Sequence, residues 1–296
     1  MQTTIGIIGF GEVGGIFGRG LLGKPGVQAI QAWDLKFADA QARQAVEADG
    51  VRAAAGMADL CQQATLLISA VTASNTFAVA EEAAKHVRPG SIFLDLNSAS
   101  PGTKQRAAAA LEAAGCRYVE AGVMTSVPPY GIRVPMLLGG AQAAELAQTL
   151  VAWGMDAKPV SEKLGVASAI KMSRSVMIKG LEALVIESYT TARSYGVEDY
   201  VLPTLQETFP QIDWAQQGAY FFSRVVQHGK RRAEEMRESA NTVKEAGFAP
   251  LMTTAIAEKQ DWVAGLARDQ VFAGLDAKAK WQEYADRLIA HAAKKN

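Results

Sequence analysis

Thr4-Ile5-Gly6-Ile7-Ile8-Gly9-Phe10-Gly11-Glu12-Val13-Gly14 is the stretch whose reading decides the fold. A β-branched strand, Thr4 to Gly9, ends in glycine and opens a G-x-G-x-x-G pattern, followed by the small-residue helix start Gly15-Ile16-Phe17-Gly18. Val27 to Trp33 reads as a second strand closing on Asp34, and 34 − 14 places that acid 20 residues after the last glycine. A glycine triplet alone is weak evidence in a chain with 27 glycines. Strand, triplet, helix, strand and terminal acid in this order form a dinucleotide-binding fingerprint. The glycines permit a tight turn and close approach of a pyrophosphate, whose charge the helix N-terminus stabilises. Gly9, Phe10, Gly11, Glu12, Val13 and Gly14 are therefore candidate cofactor contacts. Asp34 is placed to accept hydrogen bonds from an adenosine ribose and to repel a 2′-phosphate, which favours NAD. Lys36, two residues on, can turn toward a 2′-phosphate and keeps NADP as the alternative.

The alternation continues. Residues 39–48 read as helix, 51–54 as a short strand, 57–64 as helix and 65–71 as a buried strand. Helix 75–86, strand 92–96, helix 103–114 and strand 117–123 follow, then strand 134–139, helix 141–153 and a last strand near 158–160. This spacing predicts an α/β fold with a doubly wound parallel sheet of Rossmann type. Ligands bind such sheets beyond the carboxyl ends of the strands. Three strand-end loops stand out: Ser69-Ala70-Val71-Thr72, Asn97-Ser98-Ala99-Ser100-Pro101, and 124–131, where Thr125 and Ser126 precede Pro128-Pro129-Tyr130. Ala70, Val71 and Thr72 are further candidate cofactor contacts.

Ser161 to Gly196 reads as one long helix, roughly 45 Å at 1.5 Å per residue, more than one small domain needs. Val166, Ile170, Met177, Leu181, Leu184 and Val185 recur at three- and four-residue steps and predict a buried stripe. Ser161 or Ser168 is the expected cap and Gly196 the expected left-handed stop. On another face, one turn apart, lie Lys171 and Ser175, behind the small-residue run Gly165-Val166-Ala167-Ser168-Ala169, which places Lys171 in a cleft. From Glu198 onward only helices are expected: 200–209, 214–222, 223–246, 251–267 and 277–295. Most aromatic residues lie here (Phe209, Trp214, Tyr220, Phe221, Phe222, Trp262, Phe272, Trp281, Tyr284) and are expected to build a second core. The reading divides the chain into a dinucleotide-binding domain, 1–160, and an all-helical substrate and dimerisation domain, 161–296. The long helix has more apolar face than one helical domain covers, so a homodimer or larger homo-oligomer is expected through residues 161–296.

Composition narrows the function classes. The 296 residues are 49% hydrophobic and 20% charged, enough for two domains with real cores. Lys plus Arg and Asp plus Glu are 30 each, so the formal net charge is zero. No basic cluster precedes the terminal pair Lys294-Lys295, which argues against a nucleic-acid partner. Cys61 and Cys116 follow no metal spacing, and neither His86 nor His291 joins a cluster of ligands, so no metal site is expected. The N-terminus lacks a basic n-region and cleavage site, and no apolar run reaches membrane length. A cytoplasmic protein with reduced thiols and no membrane partner is expected.

A glycine-fingerprint domain, a long helix carrying Lys171 and an all-helical remainder together resemble the β-hydroxyacid dehydrogenase superfamily, which includes 3-hydroxyisobutyrate and 6-phosphogluconate dehydrogenases. Gly9 to Gly14 looks like that family's cofactor signature. Asp95-Leu96-Asn97-Ser98-Ala99-Ser100-Pro101 resembles its aspartate-led segment of small hydroxyl residues ending in proline, which implies Ser98 near the nicotinamide. Gly165 to Lys171 is similar to its glycine-to-lysine helix, which implies Lys171 as the catalytic residue. Three departures stand against the match. Ser175 replaces the family's usual Asn, Met124-Thr125-Ser126 replaces its substrate-holding Ser-Gly-Gly, and its later Lys-Asp pair has no counterpart. His228 to Met236 stands in that region and looks like a subgroup of phosphogluconate-dehydrogenase-like C-terminal domains.

The resemblance implies hydride transfer between NAD (or NADP) and a small 3-hydroxy acid, or the matching semialdehyde or keto acid. Oxidising such a substrate requires a group that removes the hydroxyl proton, and Lys171 is the candidate general acid/base. Ser98, Thr125, Ser126 and Ser175 are candidate substrate contacts. His228, Arg231 and Glu235 share one face at i, i+3 and i+7, a row that usually is solvated and salt-bridged. Arg231 could instead hold a carboxylate, with His228 beside it as the next proton-transfer candidate. Two alternatives stay open: an imine reductase of the same architecture, which usually carries Asp or Tyr in place of the lysine, and a dinucleotide sensor without turnover.

Overall fold

The β-branched runs and small-residue helices of the first half build one eight-stranded sheet in the computed structural model, which describes residues 2–276 and 278–294. The expected start of a last helix at Ala277, and Lys295, lie outside the described residues. Strands β1 (Thr3–Ile8), β2 (Val27–Trp33), β3 (Arg52–Ala53), β4 (Leu66–Ser69), β5 (Ile92–Asp95), β6 (Arg117–Val123), β7 (Met136–Gly139) and β8 (Ala157–Ser161) lie in the order 3-2-1-4-5-6-7-8. Helices α1 (Glu12–Leu21), α2 (Ala40–Ala48), α3 (Met57–Gln63), α4 (Thr76–Ala84), α5 (Pro101–Ala113) and α6 (Ala143–Ala152) connect them. Two apolar layers cover the sheet. Ile5, Ile7, Phe17 and Leu94 belong to one, and Ile8, Leu60, Leu67 and Phe93 to the other. Strands covered on both faces must be apolar throughout, which is why β1 and β4 read as continuous runs.

The sheet departs from the parallel expectation at β7, which pairs antiparallel with β6, and β8 then pairs parallel with β7. No crossover helix lies between β6 and β7, only a 3₁₀ turn at Gly131–Arg133, and a strand joined without a crossover turns back on its neighbour. β7 and β8 are joined through α6 and so run alike.

Two compact units divide the chain, Met1–Ser173 and Arg174–Asn296. Helix α7 (Val166–Tyr195) opens in the first and ends in the second; the residue-160 boundary read from the sequence falls at the end of β8. The second unit holds the rest of α7 with α8 (Glu198–Thr208), α9 (Trp214–Glu245), α10 (Leu251–Arg268) and α11 (Trp281–Ala293). The helices expected at 214–222 and 223–246 are one, because nothing at Phe222-Ser223 breaks the backbone pattern. Its core gathers Trp214, Phe221, Phe222, Phe272, Trp281 and Tyr284, while Phe209, Tyr220 and Trp262 are exposed. Among the described residues no helix is long and apolar enough to cross a membrane.

The stripe expected to be buried on α7 is corrected in part. Val185 is buried, but Met177 is 65% and Leu184 54% exposed, and Ile170 is exposed too. Ser175, Lys179 and Glu182 are buried instead, because polar partners meet them there. Gly196 does close α7 in the left-handed region, with φ of +66°.

Candidate cofactor and catalytic site

The three fingerprint glycines answer to different demands. Gly9 has φ of +86°, and a Cβ there would stand 2.7 Å from the Ala70 carbonyl oxygen. A Cβ at Gly14 would overlap the Gly9 carbonyl. Gly11 has an ordinary φ of −75°, and nothing lies within 4 Å of the Cβ it lacks. The fold therefore has no use for glycine at 11, whereas a ligand lying against the backbone does. Gly11 is also the N-cap of α1 and makes no side-chain cap bond, so the first N–H groups of the helix are left to other acceptors. Phe10 is buried, Val13 half-buried and Glu12 exposed in the first turn.

Asp34 follows the last residue of β2 and turns back on this loop. Its carboxylate accepts from the Phe10 N–H at 2.6 Å and from the Lys36 N–H at 3.0 Å, while the Lys36 ammonium donates to the Phe10 carbonyl. Both polar groups of Phe10 are thus held by the end of β2.

One register row, Trp33–Ile8–Ser69–Asp95–Glu120–Gly139, crosses β2, β1, β4, β5, β6 and β7. Three of its members are buried and polar, and they hold the loops above them. Asp95 pairs with Lys104 at 2.9 Å, both with fully buried side chains, and accepts from the Tyr118 hydroxyl at 2.6 Å and the Asn97 N–H at 2.9 Å. Burial, then the neighbouring Asp95 charge, pushes the Tyr118 phenol well above its usual range, so it stays protonated and donates. Asn97 donates its amide to the Ser69 hydroxyl at 2.9 Å, and its carbonyl oxygen accepts from the Val71 N–H at 2.7 Å. The 69–72 and 97–101 loops are therefore tied to each other, with Ala70 and Val71 half-buried and Thr72 exposed.

Lys171 meets this row from α7. Its ammonium donates to the Ser98 hydroxyl at 2.6 Å. Its stem lies over β6, where a Cβ at Gly122 would stand 2.9 Å from the Ala167 carbonyl oxygen and 3.4 Å from the Lys171 Cβ. Glu120, also on β6 and fully buried, caps the helix. It accepts from the N–H groups of Gly165 at 2.7 Å, Ala167 at 3.1 Å and Ser168 at 3.3 Å, and from the Ser168 hydroxyl. Ser161 lies in β8 and Ser168 is a donor, so the cap expected from a serine comes from a carboxylate 45 residues upstream of Gly165. This buried carboxylate is stabilised by helix-terminal N–H groups and their dipole.

Thr125 is exposed and Ser126 half-buried just after β6. The remaining candidates belong to the second unit. Ser175 accepts from Lys179 at 3.3 Å; Lys179 pairs with Glu235 at 2.9 Å, and Glu235 with Arg231 at 3.8 Å. Ser175 and Arg231 are thereby ends of one polar chain between α7 and α9, with Arg231 exposed and His228 half-buried. The charged row of α9 is not wholly solvated: Arg232 is buried and grips Glu182 through two nitrogens.

Sequence reasoning missed Glu120, Lys104, Tyr118 and Lys179. Glu120 had a signal, a lone acid inside the apolar run Arg117-Tyr118-Val119-Glu120-Ala121-Gly122-Val123. Lys104 had none, since a lysine in an alanine-rich helix reads as solvent-facing.

Two family descriptions match the chain: the NAD binding domain of 6-phosphogluconate dehydrogenase over residues 4–155, and a domain of unknown function over 192–263. A conserved hypothetical protein from Sinorhizobium meliloti 1021 is 38% identical, with 98% of this chain and 97% of that one covered and a TM-score of 0.77. The conserved protein MTH1747, described as structurally similar to 3-hydroxyacid dehydrogenases, is 30% identical over 90% of this chain and 98% of its own, with a TM-score of 0.69. The 3-hydroxyisobutyrate dehydrogenase of Mycobacterium tuberculosis, with L-serine, shares the fold at 15% identity, 97% and 99% coverage and a TM-score of 0.71.

Proposed function

The chain belongs to the β-hydroxyacid dehydrogenase superfamily, and on that premise we propose that it oxidises a small 3-hydroxy acid, or reduces the matching semialdehyde or keto acid, with Lys171 as general acid/base. Its cofactor is NAD(P). The residues fit that group: Gly11 leaves an empty Cβ position against the backbone, and the uncapped start of α1 suits a pyrophosphate. Gly9 to Gly14, Asp34 and Ala70 to Thr72 would hold it, with Ser98 at the nicotinamide end. When bound, its nicotinamide supplies or accepts the hydride.

The observation that carries the reading is the Lys171–Ser98 hydrogen bond at 2.6 Å, which sets the amine beyond the end of β5, in the same parallel run of strands as β1 with its glycine loop and separated from it by β4. In the oxidising direction the neutral Lys171 amine takes the hydroxyl proton as the carbonyl forms. In the reducing direction its ammonium polarises the carbonyl and returns the proton. Ser98 orients the amine, and Thr125 and Ser126, after β6, contact the substrate.

The test is a dehydrogenase screen across 3-hydroxy acids with native protein, Lys171→Ala and Lys171→Arg. Lys171→Ala is expected to keep cofactor affinity and lose at least about 10²-fold in turnover. Lys171→Arg should not restore it, because a guanidinium does not deprotonate in this range. Near-normal oxidation by Lys171→Arg would sink the proton-transfer role. Cofactor binding with no reduction on any substrate would favour a dinucleotide sensor.

The second unit is read as self-associating. Met177, Leu184 and Tyr195 stand exposed along α7, and an open apolar groove of about 420 Å³ lies among Leu184, Thr191, Tyr195, Val197 and Val201. Apolar exposure of this extent usually marks an interface. Sedimentation at micromolar concentration should show a dimer or larger species; a monomer contradicts this.

A further inference from the structure

Within the first unit, two loops enclose an open groove of about 470 Å³. Pro129, Tyr130 and Arg133, between β6 and β7, supply one side, and Gly154, Met155 and Asp156, between α6 and β8, supply the other. The groove belongs to the C-terminal end of α1, where a Cβ at Gly20 would stand 2.5 Å from the Ile132 side chain. Gly20 is roughly 14 Å along the helix from Gly11, at 1.5 Å per residue, so this is not the glycine-loop site. Both sides are held in place. The N–H groups of Tyr130 and Gly131 donate to the Val127 carbonyl at 3.0 and 2.8 Å, and the Asp156 carbonyl accepts from the Met136 N–H at 2.9 Å. The Trp153 indole donates to the Pro25 carbonyl at 2.9 Å. The shape is therefore preformed, as small-ligand sites usually are. Its chemistry is mixed. Met155 is buried, Pro129 and Tyr130 add apolar surface, and Arg133 and Asp156 bring opposite charges to one groove. Yet no ion pair joins those two, and among the described residues neither side chain has another polar partner. The Lys24 ammonium adds a second cation, 3.7 Å from the place of the Cβ that Gly154 lacks.

We propose that this groove binds a free α-amino acid, with the carboxylate on Arg133, the ammonium on Asp156, and an apolar side chain against Pro129, Tyr130 and Met155. A plain anion would be repelled by Asp156, and a plain cation would meet Arg133 and Lys24. A ligand that carries both signs a few ångströms apart satisfies all three. The planar guanidinium takes a carboxylate through two parallel N–H bonds, and the exposed Tyr130 ring offers a stacking surface to an aromatic side chain. With two cations to one anion, the groove holds the carboxylate more firmly than the ammonium. The site stands apart from the dehydrogenase reading and does not depend on it.

The test is a calorimetric titration of L-phenylalanine, N-acetyl-L-phenylalanine and L-phenylalaninamide into the native chain, Arg133→Gln, Asp156→Asn and Lys171→Ala. The native chain is expected to bind L-phenylalanine with a Kd of about 1 mM or lower. Each derivative lacks one charge and should bind about 10-fold more weakly, the scale of one charge-assisted contact, with the amide the weaker of the two. Arg133→Gln and Asp156→Asn should each weaken L-phenylalanine by about the same factor. Their melting temperatures and NADH binding should stay native, because both side chains are exposed and without polar partners. Lys171→Ala should bind L-phenylalanine as the native chain does. No saturation by about 10 mM L-phenylalanine overturns the proposal. So does N-acetyl-L-phenylalanine bound as tightly as the free amino acid. Loss of binding in Lys171→Ala with Arg133→Gln unaffected also overturns it, and puts the amino acid at the proposed catalytic lysine. A native chain that binds L-phenylalanine but no NADH strikes the dinucleotide reading and leaves this site standing.

Discussion

In the unit of residues 1–173 the buried pair Asp95–Lys104 lies beneath two strand-end loops, whereas in the unit of residues 174–296 the buried pair Glu182–Arg232 ties helices together. Asp95 also receives Tyr118 and Asn97, and Asn97 passes the constraint on to Ser69 and Val71. Glu182 receives Arg232 from α9 and Gln260 from α10. Desolvating an ion pair costs about as much as its attraction returns, so neither pair is explained by stability alone. The difference lies in what each one fixes. The first sets the conformation of loops that apolar packing cannot hold, because loops carry backbone polar groups that must be bonded. The second fixes the register of helices whose apolar faces would pack in more than one way.

Removing one partner of each pair separates these roles. Lys104→Met and Arg232→Met should both destabilise by about 3–5 kcal/mol, since each leaves a buried carboxylate without its cation. Only Lys104→Met should weaken NADH binding in chain that remains folded. The thiols give a second readout, because Cys61 and Cys116, the chain's two cysteines, lie in the first unit. Burial, with Cys116 nearby, pushes the Cys61 thiol up to about 12, and burial raises Cys116 as well, so neither reacts at neutral pH until the unit opens. Lys104→Met should accelerate labelling by a thiol reagent, and Arg232→Met should not. Equal loss of NADH binding and equal labelling in both variants would erase the distinction.

A smaller effect sharpens the same contrast within the glycine loop. Gly11→Val should leave the melting temperature near its native value, since nothing occupies the space the side chain enters. It should weaken NADH binding by about 10-fold or more, the cost of one lost close approach. Gly14→Val should instead lower the yield of folded chain, because its side chain would meet the Gly9 carbonyl. A Gly11→Val chain that binds NADH normally would remove the empty Cβ position as an argument for the cofactor.

By itself the sequence determined the alternating strands and helices, the glycine loop with its acid, and the helical remainder, because each rests on local periodicity or backbone chemistry. A β-branched run is a strand for its own steric reasons, and Gly196 ends α7 because its φ of +66° disfavours other residues. It also offered Lys171 as a candidate through the small-residue run that precedes it, and the ammonium of that residue donates to Ser98. Tertiary structure alone decided what lies opposite each side chain. Periodicity assigned Met177 and Leu184 to the buried face of α7, but Ser175, Lys179 and Glu182 took it, since Glu235, the partner of Lys179, and Arg232 and Gln260, the partners of Glu182, lie 50 or more residues away. It gave β7 its antiparallel direction by leaving a crossover helix out of the loop before it. It brought Glu120 under the first turn of α7, where no nearby serine could have supplied a fixed charge for three N–H groups at once. Local rules act over a few residues, whereas the pairing of buried charges depends on which distant elements the sheet brings side by side.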